Sequence, residues 1–302
     1  MASECVLAVD VGGTSVKAAV VDARGAAIAP VTVPTSSGAD AVADQVAALA
    51  DELTAVANGR GLTPVALGVV VPGLVDEDTG TVLLAGNLGW RDVPMRALVE
   101  KRVSLPVAFG HDVRAGGLAE AVLGAGRDAG DHLFVAIGTG VAGAVMLEGA
   151  AYSGGGYAGE IGHIVVEPDG DACACGGRGC LEAVTSARAI ARRYASRAGE
   201  EVSAAEVASR AVAGDVDAVA VWDAAVAGLA EALRVCLCVL APELVVVGGG
   251  LAAAGEQLLG PLRARMAERL TFQRVPRVVP AELGERAGCL GAGLLAWREV
   301  RP

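Results

Sequence analysis

One device occurs twice in this chain and constrains its fold more than any other feature. DVGGTSVKAAVVD at 10–22 and AIGTGVAGAVMLE at 136–148 each read as apolar strand, Gly/Thr turn, apolar strand. The first is framed by apolar runs at 5–9 and 16–21, the second by runs at 133–137 and 141–147. A turn this short between two strands makes a hairpin. A hairpin repeated in both halves of a chain implies two related lobes. The length of 302 residues exceeds the usual span of one domain and agrees with two.

Between and after the hairpins, strands alternate with helices. Val42, Val46, Leu49 and Leu53 recur near a 3.6-residue period and predict a helix over 39–57. Residues 65–71 form a β-branched run ended by Pro72-Gly73, a buried strand entering a turn. A short strand at 107–109 leads into a helix over 113–123, just after Asp112. A Gly-rich loop is expected over 149–179, then helices at 186–197, 204–213 and 216–240, a strand at 243–247, a further helix, and a closing helix near 288–298. This alternation indicates an α/β fold with parallel or mixed sheets, whose ligands sit at the carboxyl ends of strands. The expected division is 1–115, joined by the C-terminal helix 288–302, against 116–287.

Three glycine turns lie at strand ends: Gly12-Gly13-Thr14, Gly138-Thr139-Gly140 and Gly248-Gly249-Gly250. Backbone N–H groups without side chains in the way can cradle phosphate. Asp10, at the end of the first strand, is placed to orient Mg²⁺ through water. No turn matches GxxxxGK[ST] or GxGxxG, which argues against a P-loop NTPase or a dehydrogenase.

Cys173, Cys175 and Cys180 crowd into eight residues rich in glycine, with His163 ten residues upstream. Three Cys and one His make a closed tetrahedral zinc set, so the metal is expected to be structural. It would pin the loop carrying Glu160, His163 and Glu182. Cys5, Cys236, Cys238 and Cys289 read as small core residues.

A net charge of −11 argues against a surface that neutralises nucleic-acid backbones. The longest uncharged stretch, 132–147, is too short and too glycine-broken for a membrane span. The opening MASECVLAVD has no basic region and no cleavage site, so a cytoplasmic location is expected.

Taken together, these residues resemble the ROK family (repressors, open reading frames, kinases). The resemblance rests on DVGGTSVK at 10–17, HDVRAGGLAE at 111–120, IGTGVAGAVM at 137–146, GGYAGEIGHIVV at 155–166, CACGGRGCLEAVTS at 173–186 and VVVGGGL at 245–251. It implies a two-lobed actin-like ATPase (ribonuclease H-like) fold with an interlobe cleft. It also implies ATP-dependent phosphorylation of a hexose at the 6-hydroxyl, glucose leading, with ATP, Mg²⁺ and structural Zn²⁺, and a homodimer or homotetramer without nucleic-acid or membrane partners. Asp112 matches the catalytic base. Asn87, His111, Glu160, His163 and Glu182 match sugar-contacting positions, and His163 is also a zinc ligand with Cys173, Cys175 and Cys180. Asp10, Gly12, Gly13, Thr14 and Lys17 match one nucleotide-binding segment, Gly138, Thr139 and Gly140 a second, and Gly249 and Gly250 a third.

His111 departs from the family pattern, because glucokinases of this kind usually carry Asn before the catalytic Asp. The acceptor therefore stays open to N-acetylmannosamine, N-acetylglucosamine, allose or fructose. Polyphosphate as donor is disfavoured by the cysteine cluster, and a sugar-sensing repressor by the arrival of the first strand at Cys5 and the strong acidity of the chain.

Overall fold

The computed structural model describes residues 3–301; the ends of the expected lobes at 1, 2 and 302 lie outside them. The first part of the chain contains β1 (Ser3–Val11), β2 (Ser15–Asp22), β3 (Ala27–Pro34), α1 (Ala39–Gly59), β4 (Leu62–Val71), β5 (Leu74–Asp76), β6 (Thr81–Ala85), β7 (Trp90–Val93), α2 (Met95–Glu100), β8 (Val107–His111) and α3 (Asp112–Leu123). The second part begins with β9 (His132–Ile137), β10 (Val141–Leu147) and β11 (Ala150–Tyr152). It continues through α4 (Leu181–Thr185), α5 (Ala187–Ala198), α6 (Ala204–Val212), α7 (Val216–Leu240), β12 (Leu244–Gly248), α8 (Glu256–Arg269), β13 (Arg277–Pro280) and α9 (Ala287–Val300).

These elements form two compact units, one of residues 3–123, 150–158 and 286–301, the other of 124–149 and 159–285. The first unit continues past residue 115 because α3 packs along α9 and stays with it.

The sheet of the first unit runs β3-β2-β1-β4-β8. Its hairpin strands are antiparallel, and β1–β4 and β4–β8 are parallel. Strand alternation divides its side chains between two cores. Cys5, Leu7, Val9 and Val11 face the cluster that includes Val42, Val46 and Leu53 of α1. Val6 and Ala8 face Ala292, Ala296 and Trp297 of α9. Small residues let α9 approach closely: a Cβ on Gly291 would lie 2.1 Å from Ala115 O, and one on Gly68 would clash with the Ala292 carbonyl. A three-stranded antiparallel sheet, β5-β6-β7, is inserted between β4 and β8.

The second unit repeats the wiring. β9 and β10 form an antiparallel hairpin, β9 pairs in parallel with β12, and β12 with β13. Its core gathers Leu133, Val135 and Ile137 with Val221, Trp222, Val226, Leu229 and Leu233 of α7. Asp215 caps α7 by accepting from Ala218 N at 2.8 Å. With aromatics at 3%, packing in both cores rests on Ala, Val and Leu. Among the described residues no helix is long and apolar enough to cross a membrane.

Candidate active site

In the first unit the β1–β2 turn is closed by Gly12 N donating to Ser15 O at 2.9 Å. A Cβ on Gly12 would sit 2.8 Å from that same oxygen, so the turn requires glycine there. Gly13 lies against Asn87, where a Cβ would be 2.8 Å from Nδ2. Thr14 is exposed at the tip, and its carbonyl accepts from Thr35 N at 3.1 Å. Thr35 Oγ1 donates to Gly12 O at 2.8 Å and ties the turn to the end of β3.

Asp10 and Lys17 face each other across the hairpin register. Burial first, and then repulsion from Asp112, push the Asp10 carboxyl up to about 7, with Lys17 pulling the other way. The first turn of α9 closes over the same carboxylate, since a Cβ on Gly288 would lie 2.5 Å from Asp10 Oδ2. A part-buried carboxylate held back from ionising, at the carboxyl end of a strand and beside a glycine turn, is chemically suited to a divalent cation, whose charge would offset both effects.

Asp112 is the first residue of α3, directly after β8. Its Oδ1 accepts from Val113 N at 2.7 Å and lies 3.3 Å from His111 Nε2. The side chain is 25% exposed, against 5% for His111. No hydrogen bond within the protein engages Oδ2 among the described residues. Thus one oxygen is fixed and the other is left to act.

His111, expected among the sugar contacts, is buried. Its Nδ1 accepts from Arg114 N at 3.2 Å, and its backbone N–H donates to Glu77 Oε1 at 2.9 Å. Glu77 and Arg114 escape a reading of motifs. Arg114 is buried at 2%, with Nε donating to Glu77 Oε1 at 3.0 Å and Nη2 to Val75 O at 3.0 Å. The signal was a lone cation among the small residues of HDVRAGGLAE; nothing in the acidic run at 76–78 distinguishes Glu77.

In the second unit Gly138 N donates to Gly140 O at 2.9 Å and closes the β9–β10 turn. Thr139 is exposed at its tip, and a Cβ on Gly138 would meet nothing within 4 Å. Gly249, at φ 78°, backs onto the end of β9, where a Cβ would be 2.4 Å from Ile137 O. Only glycine combines that conformation with that approach. Gly250 opens to free space. The glycines at 138–140 and 249–250 therefore converge on the end of one strand. Glu182, in the first turn of α4, accepts from Val141 N through Oε2 at 3.0 Å, so it buttresses this turn.

The loop preceding α4 gathers His163, Cys173, Cys175 and Cys180, whose ligand atoms lie within 4.8 Å of one another. Cys175 Sγ and Cys180 Sγ are 3.7 Å apart, and Cys173 Sγ is 3.7 Å from His163 Nδ1. A tetrahedral zinc ion with ordinary bond lengths has S···S edges of about 3.8 Å and S···N edges of about 3.6 Å. The four groups fit such an ion without rearrangement of those edges. His163 Nε2 faces Glu160 Oε2 at 3.7 Å, the carboxylate placement that orients a metal-bound imidazole. Gly176 and Gly179 take positive φ to wrap the loop, and a Cβ on Gly179 would clash with Glu167 O.

Two units of the same wiring, each opening with a glycine hairpin, define the two-lobed actin-like ATPase class. The chain belongs to the ROK family, whose model matches residues 6–299. It is 35% identical to the glucokinase of Thermotoga maritima over 306 residues, covering 95% of each chain. It is 34% identical to the glucokinase of Halalkalibacterium halodurans over 326 residues, covering 98% of this chain and 96% of that one. Among solved structures it is similar to a ROK family glucokinase from Streptomyces griseus in complex with glucose and AMPPNP. The TM-score is 0.85 at 31% identity, covering 97% of this chain and 99% of that one.

Proposed function

We propose that this protein is an ATP-dependent sugar kinase that phosphorylates the 6-hydroxyl of a hexose, with glucose the leading acceptor. The observation that carries the reading is Asp112, with Oδ1 fixed at the start of α3 and Oδ2 left for a substrate proton. The glucokinases among its relatives and the glucose- and AMPPNP-bound structure support both acceptor and donor.

The chemistry is an in-line phosphoryl transfer, in which the protein supplies position and charge. Asp112 Oδ2 takes the proton of the sugar hydroxyl as that oxygen bonds to the γ-phosphorus. The bond from the γ-phosphorus to the bridging oxygen breaks, and ADP leaves with that electron pair. General-base assistance of this kind contributes about 10²–10⁴-fold.

The turns at Gly12–Thr14 and Gly138–Gly140, with Lys17, Gly249 and Gly250, would hold the nucleotide. Asp10 would hold Mg²⁺, which neutralises phosphate charge when bound. Asn87, Glu160, His163 and Glu182 would meet sugar hydroxyls through fixed donors and acceptors, which reject a hydroxyl of wrong configuration. Zinc on His163, Cys173, Cys175 and Cys180 has all its positions filled by protein and acts on structure alone.

A coupled ADP-release assay over a panel of hexoses and N-acetylhexosamines, with ATP and Mg²⁺, tests the reading. Turnover highest with glucose is expected. A preference for N-acetylmannosamine, N-acetylglucosamine, allose or fructose would reassign the acceptor. Silence across the panel would remove the kinase reading.

A further inference from the structure

His111 occupies a position from which a side chain would be expected to reach the acceptor sugar, yet its ring is 95% covered by protein and faces away from solvent. Its two nitrogens have different tasks. Nδ1 is 3.2 Å from the backbone N–H of Arg114, a group that can only donate. Nδ1 must therefore carry a lone pair, and the single proton of the neutral ring sits on Nε2. That nitrogen lies 3.3 Å from Asp112 Oδ1, an electrostatic contact whose angle falls outside hydrogen-bond geometry.

The ring is also held from outside. Glu77 Oε1 accepts from both His111 N at 2.9 Å and Arg114 Nε at 3.0 Å. Arg114 in turn donates to Val75 O at 3.0 Å and to Gly156 O at 3.4 Å. The turn from β8 into α3 is thereby locked by an ion pair between buried Arg114 and part-exposed Glu77.

We infer that His111 is a positioning residue for the phosphoryl transfer, its anchored ring lying with Nε2 3.3 Å from Asp112 Oδ1 so that Oδ2 alone is presented to the sugar hydroxyl. The inference rests on the kinase reading above and changes one part of it: His111 acts through Asp112 and makes no sugar contact of its own. The groups facing the imidazole are Asp112, Arg114 and Glu77. Burial and the Arg114 cation hold it neutral, and the two carboxylates oppose them. Below the pH at which the ring gains a second proton, Nδ1 can no longer accept from Arg114 N and the lock opens.

Two measurements on the full chain test this. In the first, long-range ¹H–¹⁵N correlation spectra of the three imidazoles are recorded, with His111 assigned by its loss in His111→Gln. A neutral Nε2–H tautomer at pH 7 is expected; an Nδ1–H tautomer or a cation overturns the proposal.

In the second, kcat and sugar KM are followed against pH. His111→Ala should lower kcat about 10- to 100-fold, a part of what base catalysis supplies. Its sugar KM should stay within about threefold, because uniform binding is untouched. His111→Gln, whose amide N–H reaches the place of Nε2–H, should recover most of the lost kcat. A rise in KM or a change in sugar preference at constant kcat would make His111 a sugar contact and overturn the inference, while leaving the kinase standing. Absence of turnover by the wild-type chain on every sugar would instead remove the reading beneath it.

Discussion

Val141 donates its backbone N–H to Glu182 Oε2 at 3.0 Å, and a Cβ on the preceding Gly140 would lie 2.6 Å from that same oxygen. Glu182 is two residues past Cys180. The metal loop and the glycine turn of the second unit are thus joined by a single carboxylate. Val141 is 4% exposed, so removal of its acceptor leaves a buried donor unpaired at a cost of about 1–3 kcal/mol. Glu182→Ala should lose that much stability and abolish amide-exchange protection at Val141, whereas Glu182→Gln, which keeps an acceptor oxygen, should retain most of both. Unchanged protection in the alanine variant would show that the turn stands without Glu182.

The purified chain should carry one zinc per molecule by elemental analysis, and Cys175→Ser should reduce that stoichiometry and the melting temperature together. Glu160→Gln probes the orientation of His163 and should weaken zinc affinity about 10- to 100-fold. Full zinc content in Cys175→Ser would show that the ligand set is wrong.

Asp10 gives the fold a defined pH dependence. Its carboxyl ordinarily titrates at 3.8 and in the folded chain at about 7, chiefly through burial. Between those values the folded chain binds more protons than the unfolded one, so this group's contribution to stability is present below pH 3.8 and lost as pH rises through 7. Asp10→Asn should therefore be more stable than wild type at pH 8, with a ceiling of about 4 kcal/mol from a shift of roughly three units. The two melting curves should converge towards pH 4. Parallel curves from pH 4 to 8 would contradict this.

The hairpins were legible because their turn is short and glycine-rich, and the same turn chemistry operates at 12–14 and 138–140. The cluster of His163, Cys173, Cys175 and Cys180 was legible because three thiols in eight residues have few other uses in a chain of this kind. Helix α1 was expected over 39–57 and extends to Gly59, its last turn closed by Arg60 N bonding back to Ala57 O beyond the last buried residue, Ala57. The insertion β5-β6-β7 escaped notice: its strands are three to five residues long and lack sustained alternation. The direction of the His111 ring was equally hidden, because it depends on Glu77 and Arg114, which lie 34 residues before it and three after. Only the folded chain brings those groups to one corner.

The measurement that bears most directly on the central claim is kcat and sugar binding for Asp112→Asn beside wild type, with the best acceptor of the panel. The substitution keeps the size and the Val113 N–H acceptor but removes the base. A fall in kcat of about 10²–10⁴-fold, with sugar affinity by calorimetry changed little, is predicted. Retention of wild-type kcat would contradict the assignment of Asp112 and the mechanism built on it.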